Sequence, residues 1–299
     1  MDINDFEDII YEKEDNGICT LTFNAPERRN ALTFVSFLEM EYALEDMKKD
    51  KNARVLIITG SEEGNAFSSG GYFKMKEMTN IDPELQKEID MEDIAIKKVC
   101  MKLWDFQKPI IAAINGLAIG AGITMPLATA DLIYMADDAW AGFYFVKRAI
   151  VPEFALSFIL PFYLGFQRAK EILYFGDKIP AQKMDKLGLI NGVVPHNKLM
   201  SHCREIAKRL IPPQGTSVSL KFMKKLMHDY FREIVSKTLD KENISLRATF
   251  KTQDFRESLK ALMMKKDPKF RGKENKIIKD ILREPFDLEK EQSREKYIK

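Results

Sequence analysis

An α/β fold is predicted by three features of this 299-residue chain. Short apolar, β-branched runs at 54–60, 110–114 and 131–136 have the length and composition of buried strands. Helical segments alternate with them, which implies right-handed crossovers and largely parallel pairing. From about residue 153 onward nearly everything reads as helix, apart from a short apolar piece at 189–194.

The elements follow in order. Residues 7–13 and 17–23 (EDIIYEK and GICTLTF) read as two strands joined through Asp15-Asn16-Gly17, a hairpin signal. Residues 33–50 carry Phe34, Phe37, Leu38, Tyr42, Leu44 and Met47, with Thr33 as N-cap, and read as a helix. After the 54–60 strand come a Gly/Ser loop and a polar segment around 74–83, and then residues 84–106 as one long helix. No internal repeat is visible.

Residues 108–131, KPIIAAINGLAIGAGITMPLATAD, hold no charge between Lys108 and Asp131 and are long enough to cross a bilayer. Their texture argues otherwise. Pro109, Asn115, Pro126 and three glycines dilute the apolarity; 110–114 reads as a strand and Asn115-Gly116 as a turn. Gly120-Ala121-Gly122 then opens a short helix, with its proline expected in or near the first turn. Strand, turn, glycine elbow and helix start form an arrangement that lets a ligand approach backbone.

Composition narrows the functional classes. Lys+Arg of 47 against Asp+Glu of 45 leaves a net charge of +2, which gives no global argument for nucleic acid or an acidic membrane surface. Cys19, Cys100 and Cys203 are scattered without C-x-x-C pairing and read as reduced core thiols. His196, His202 and His228 have no ligand spacing, so no metal site is expected. The acidic start, MDINDFEDIIYEKED, lacks the pattern of a signal or transit peptide, and the cytoplasm is the expected compartment. Residues 265–299 are dense in charge, with 12 Lys/Arg and 8 Asp/Glu, and read as a solvated helix or tail.

Four stretches bear on function. Residues 24–32, NAPERRNAL, follow a strand with a turn holding two arginines. Residues 64–74, GNAFSSGGYFK, follow the 54–60 strand. The elbow at 120–122 is the third. Residues 151–157, VPEFALS, set a carboxylate at a helix start in apolar surroundings. In this order and spacing, over roughly residues 7–272, the chain resembles the crotonase family, also called the enoyl-CoA hydratase/isomerase family.

The resemblance implies a crotonase-like α/β fold of repeated β-β-α units: a core over 1–200, a helical trimerisation region over 201–272 and a charged tail over 273–299. It implies a homo-oligomer, a trimer or a dimer of trimers, acting on an acyl-CoA thioester. No cofactor beyond the coenzyme A of the substrate is implied. The shared chemistry is stabilisation of a thioester enolate by two backbone N–H groups, which map onto Gly71 and Ala121. Small residues permit that approach, and a helix N-terminus at Ala121 favours negative charge. By position, Arg28, Arg29 and Lys74 would serve the CoA phosphates, Ser68 and Ser69 would meet the adenine, and Lys265 would reach CoA from a neighbouring subunit.

Hydratases of this family use two glutamates. Thr124 and Phe145 stand at those positions here, which disfavours a two-carboxylate hydration. Glu153 remains, in a Pro-Glu context similar to the single catalytic glutamate of the Δ3,Δ2-enoyl-CoA isomerase branch. Burial among Phe143, Phe145, Phe154 and Tyr72 would raise its pKa, and Tyr72, Thr124, Phe145 and Phe154 are expected to shape the acyl pocket. Two alternatives stay open: a hydratase or related CoA-thioester lyase or hydrolase that recruits Glu153 to activate water, and a non-catalytic relative that binds RNA or another partner. Glu153 could also be merely an acid at a helix N-terminus, favoured by the dipole.

Overall fold

A computed structural model describes residues 1–72, 81, 83–274, 276–283 and 286. The chain opens with the expected hairpin, β1 (Ile9–Lys13) antiparallel to β2 (Ile18–Phe23). Gly17 takes the left-handed φ of +91° that the turn requires. Helix α1 (Phe34–Lys49) starts at Thr33 in a reciprocal capping box with Ser36, so two of its free amide ends are satisfied locally.

Strand β3 (Val55–Gly60), buried at every position, pairs parallel with β2. β5 (Ile110–Ile114), β7 (Leu132–Ala136) and β10 (Gly192–Val194) continue the sheet in the order β1-β2-β3-β5-β7-β10. All its pairings except the β1 hairpin are parallel. A second sheet, β4-β6-β8-β9, consists of three-residue strands: β4 (Ala66–Ser68), β6 (Leu117–Ile119), β8 (Trp140–Gly142) and β9 (Lys178–Pro180). Each is too short to carry an alternation signal in sequence.

The two sheets expose a repeat that the sequence conceals. Three times the chain places one strand in the large sheet, the next in the small sheet, and then runs into helix. β3 and β4 lead to α2 (Pro83–Gln86) and α3 (Lys97–Trp104); β5 and β6 lead to α4 (Ala121–Thr129); β7 and β8 lead to α5 (Leu156–Leu164). Helices α6 (Phe166–Phe175), α7 (Ala181–Lys186), α8 (Leu199–Arg209), α9 (Ser217–Asp229), α10 (Arg232–Phe250), α11 (Gln253–Met263) and α12 (Lys276–Arg283) complete the described chain. No helix among the described residues is long and apolar enough to cross a membrane. The three cysteines are free and buried.

Two sequence expectations need correction. Residues 84–106 are not one helix. Asp93 accepts hydrogen bonds from the Lys97 and Lys98 amides, so it captures the free N–H groups of a new helix, and the chain enters α3 through a left-handed Ile96. Pro126 is the sixth residue of α4 rather than part of its first turn. The helix nevertheless continues, with the Ala130 amide bonded to the Pro126 carbonyl.

One buried asparagine ties the early turns together. Asn30, with no exposed surface, donates to the Ala66 carbonyl at 2.7 Å and accepts from the Ala25 amide at 3.1 Å and the Ser61 hydroxyl at 3.0 Å. Removing it strands the Ala25 amide, the Ser61 hydroxyl and the Ala66 carbonyl, at a cost on the order of 3 kcal/mol. Asn30→Ala should therefore lower the midpoint of urea unfolding while leaving the slope of the transition unchanged.

Candidate active site

The two glycine segments read from the sequence meet in space. β4 and β6 lie side by side, so the loop leaving each emerges at the same end. Gly70 packs so closely that a Cβ there would stand 2.5 Å from the Ile119 carbonyl oxygen and 3.6 Å from the Gly120 Cα. On the other side, a Cβ on Gly122 would lie 2.4 Å from the Ser68 carbonyl oxygen. Only bare backbone fits at either place.

Gly71 and Ala121 sit on the facing loops. Gly71 bridges to Leu32, an arrangement in which the Leu32 amide donates to the Gly70 carbonyl and the Tyr72 amide to the Leu32 carbonyl. The Gly71 N–H itself donates no backbone hydrogen bond among the described residues. Nor does that of Ala121, the first residue of α4, whose N-terminal amides have no intrahelical acceptor.

Glu153 is set against this junction. Its Oε1 lies 3.7 Å from the point where a Cβ on Gly120 would stand, and the Thr124 hydroxyl donates to it at 3.4 Å. The residue is 8% exposed. Burial, together with the negative charge of Glu242, pushes its carboxyl up to about 8, against a small opposing effect of Thr124. Phe145 and Phe154 are buried as well, and Phe154 stacks at a tilt on Phe37 with ring centres 6.0 Å apart.

Glu153 is not the acid of a helix N-terminus. α5 begins three residues later, after Phe154 and Ala155, both at φ +56°. The carboxylate serving that helix start is Glu242 of α10, whose Oε2 accepts from the Ala155 amide at 2.7 Å and Oε1 from the Ser157 amide at 2.9 Å. Sequence reasoning missed Glu242, because it sits 89 positions downstream in a helix whose pattern says only that one face is buried.

The residues expected around coenzyme A are found in several settings. Ser69 is stitched to the arginine turn, its amide donating to the Arg29 carbonyl and its hydroxyl to that of Arg28. Ser68 is fully buried, and its hydroxyl accepts from the Gly70 amide. The Arg28 guanidinium pairs with Asp8 and Glu27, donates to the Ala31 carbonyl, and lies 5.6 Å from the centre of the Tyr72 ring. Arg29 is exposed, held at φ +55°. Lys265 is exposed just beyond α11. Lys74 lies outside the described residues.

Against known proteins, residues 13–273 match the family model described as enoyl-CoA hydratase/isomerase. The chain belongs to this family, the crotonase family. An enoyl-CoA hydratase of Alternaria alternata is 32% identical over 256 residues, covering 85% of this chain and 83% of that protein. The peroxisomal enoyl-CoA delta isomerase 3 of Mus musculus is 30% identical over 219 residues, covering 69% and 67%. The crystal structure of an enoyl-CoA hydratase/isomerase from Pseudoalteromonas atlantica superposes with a TM-score of 0.77 at 25% identity, over 89% of this chain and all of that one. The crotonase α/β fold rests on this match over residues 13–273 and on the solved structure, and an acyl-CoA substrate is consistent with the family.

The raised Glu153 carboxyl has a consequence for stability that requires no substrate. The folded protein keeps a proton there that the unfolded chain, with its ordinary value of 4.5, gives up. The stability so contributed is fully present below pH 4.5 and is lost as pH rises through about 8. Glu153→Gln should melt at a temperature similar to the wild type at pH 5 and increasingly above it toward pH 9, by scanning calorimetry.

Proposed function

We propose that this crotonase-family protein is a Δ3 to Δ2 enoyl-CoA isomerase with Glu153 as its single base. The observation that carries this reading is the carboxylate of Glu153 lying buried against the elbow that presents the Ala121 amide, with a threonine and a phenylalanine at the two positions where a hydratase needs its glutamates. In the proposed reaction Glu153 removes a C2 proton from the 3-enoyl thioester. The electron pair moves onto the thioester oxygen, giving a dienolate, and the Gly71 and Ala121 N–H groups hold that oxygen. The same carboxylic acid then returns the proton to C4, leaving the double bond between C2 and C3. A base near pH 8 suits this work, because it is strong enough to take the proton and its conjugate acid weak enough to keep it until C4 is in reach. Each main-chain donor aimed at the oxyanion contributes about 10²–10³ in rate.

Arg29, Lys265 and Lys74 would meet the CoA phosphates. Arg28 could join them by exchanging its contacts with Asp8 and Glu27, while Ser68 and Ser69 keep the adenine-side loop in shape. Tyr72, Thr124, Phe145 and Phe154 would line the acyl chain. A cytoplasmic, reducing setting suits the three buried thiols.

A hydratase reading has support in the names of the relatives. It would require Glu153 alone to activate water, because both oxygens of Glu242 are taken by main-chain amides. Purified protein given a 3-enoyl-CoA should develop the absorbance of the conjugated thioester, with a rate that rises with pH through about 8. Glu153→Gln should lose at least about 10³-fold; full retention overturns the assignment. Faster loss of conjugation from a 2-enoyl-CoA would favour the hydratase, and no turnover of either substrate the non-catalytic relative.

We also propose a homo-oligomer, a trimer or a dimer of trimers. Phe162, Phe166 and Phe175 on α5 and α6, Phe222 and Leu226 on α9, and Tyr230 just beyond it, are each more than half exposed in the isolated chain. That much aromatic surface is unusual for a monomer. Sedimentation equilibrium should return three or six times the 34.5 kDa chain mass, and a monomer at micromolar concentration would overturn the proposal.

A further inference from the structure

α10 brings two adjacent polar residues, Glu242 and Asn243, into the buried region behind the turn that carries Glu153. Glu242 is 3% exposed and spends one oxygen on the Ala155 amide and the other on the Ser157 amide. Asn243 accepts from the Ala95 amide at 2.6 Å and donates to Asp93 at 2.9 Å. The Phe154 amide in turn donates to the Ala95 carbonyl at 3.4 Å. One turn of α10 thus grips the segment after Glu153 directly and, through Ala95, a second time from the side of α3.

That segment needs a grip. Phe154 and Ala155 are consecutive non-glycine residues in the left-handed region, a conformation that neither residue favours and that persists only when its surroundings enforce it. The turn is what directs the chain from Glu153, beside Gly120 and Thr124, into α5. If it relaxed to ordinary backbone angles, the Glu153 carboxylate would leave the elbow.

Glu242 also governs charge. The titratable and polar groups facing Glu153 are Glu242 from α10 and the Thr124 hydroxyl from α4. Glu242 itself faces Glu153, the Ser157 hydroxyl and the buried Cys100 thiol of α3, which desolvation keeps neutral. Burial raises Glu242 too, to about 7, but two main-chain donors oppose that rise, whereas Glu153 has a single hydroxyl at 3.4 Å. Of the two acids, Glu242 is therefore the one that carries charge first and Glu153 the one that retains its proton.

We infer that Glu242 is a positioning residue for Glu153: it clamps the left-handed turn that aims the Glu153 carboxylate at the elbow, and it supplies the negative charge which that carboxylate faces. This rests on Glu153 being the base proposed above.

Two substitutions separate the clamp from the charge. Glu242→Gln removes the charge and keeps one acceptor; the acid limb of the pH–rate profile should move down by about half a pH unit or more. Glu242→Asp keeps the charge but draws it back by one methylene; the limb should stay while kcat falls at least about tenfold with KM nearly unchanged. Infrared difference titration of the Glu153 carboxyl band, each protein measured against its Glu153→Gln counterpart, reads the same shift without any turnover. A band that titrates at the same pH in wild type and Glu242→Gln overturns the electrostatic half, and wild-type kcat in Glu242→Asp overturns the clamp. If Glu242→Gln does not fold, Glu242→Asp still decides the clamp, and Ser157→Ala, which removes a hydroxyl partner of Glu242, should raise the Glu242 band and lower that of Glu153. Full turnover by Glu153→Gln alone would instead remove Glu153 as base, whatever the infrared band does.

Discussion

The site depends on the approach of two backbones. The loop after β4 and the elbow after β6 pack with no room for a side chain at Gly70 or Gly122, each being crowded by main-chain atoms of the other. This contact follows from the fold, because parallel pairing of β4 with β6 brings both strand ends to one place. The short strands of the second sheet are therefore more than packing. They bring two stretches 50 residues apart in sequence into direct backbone contact. In the proposed reaction an oxyanion at this contact would meet amide dipoles already in position, so little reorganisation would be needed as charge develops.

Around that surface the chain uses buried polar side chains as fixings. Asn30 joins the arginine turn to β4, and Asn115 pairs with both backbone atoms of Gly60 at the end of β3. Asp131 accepts from the Ile110 amide and from Lys224 of α9, which anchors a C-terminal helix to the start of two central strands. Each fixing satisfies backbone groups where strands end and the ladder can no longer do so. The C-terminal helices are thereby coupled to the site, and α10 reaches it directly through Glu242.

Much of this was legible in the residues. Unbroken apolar runs located the central strands, Thr33 and Gly17 marked a helix start and a hairpin, and the glycines at 70–71 and 120–122 marked the places of backbone approach. What stayed hidden has physical reasons. A three-residue strand has no period to detect, so the small sheet was invisible. Two helices, one ending at Gln86 and one whose first amides are captured by Asp93, look continuous in composition. Long-range partners such as Glu242 and Asp8 give no local signal, and Asp8 changes the reading of Arg28 from a free cation to one already paired.

Four glutamates are buried among the described residues, and how each meets the cost of burial separates them. Glu39 accepts the amides of Glu7 and Asp8, Glu41 faces Lys98 and Lys102, and Glu242 accepts the amides of Ala155 and Ser157. Each has partners that suit a carboxylate and give it a structural task, although burial still raises Glu39 and Glu242 to about 7. Glu153 has a hydroxyl at 3.4 Å and a neighbouring negative charge. A fold selected only for stability would replace such a group with an apolar one, because an unpaired buried carboxyl is among the more expensive things a core can contain. With one long hydroxyl contact and no main-chain donor among the described residues, this carboxyl has little to fix its protonation, which is what the proposed role of a base requires.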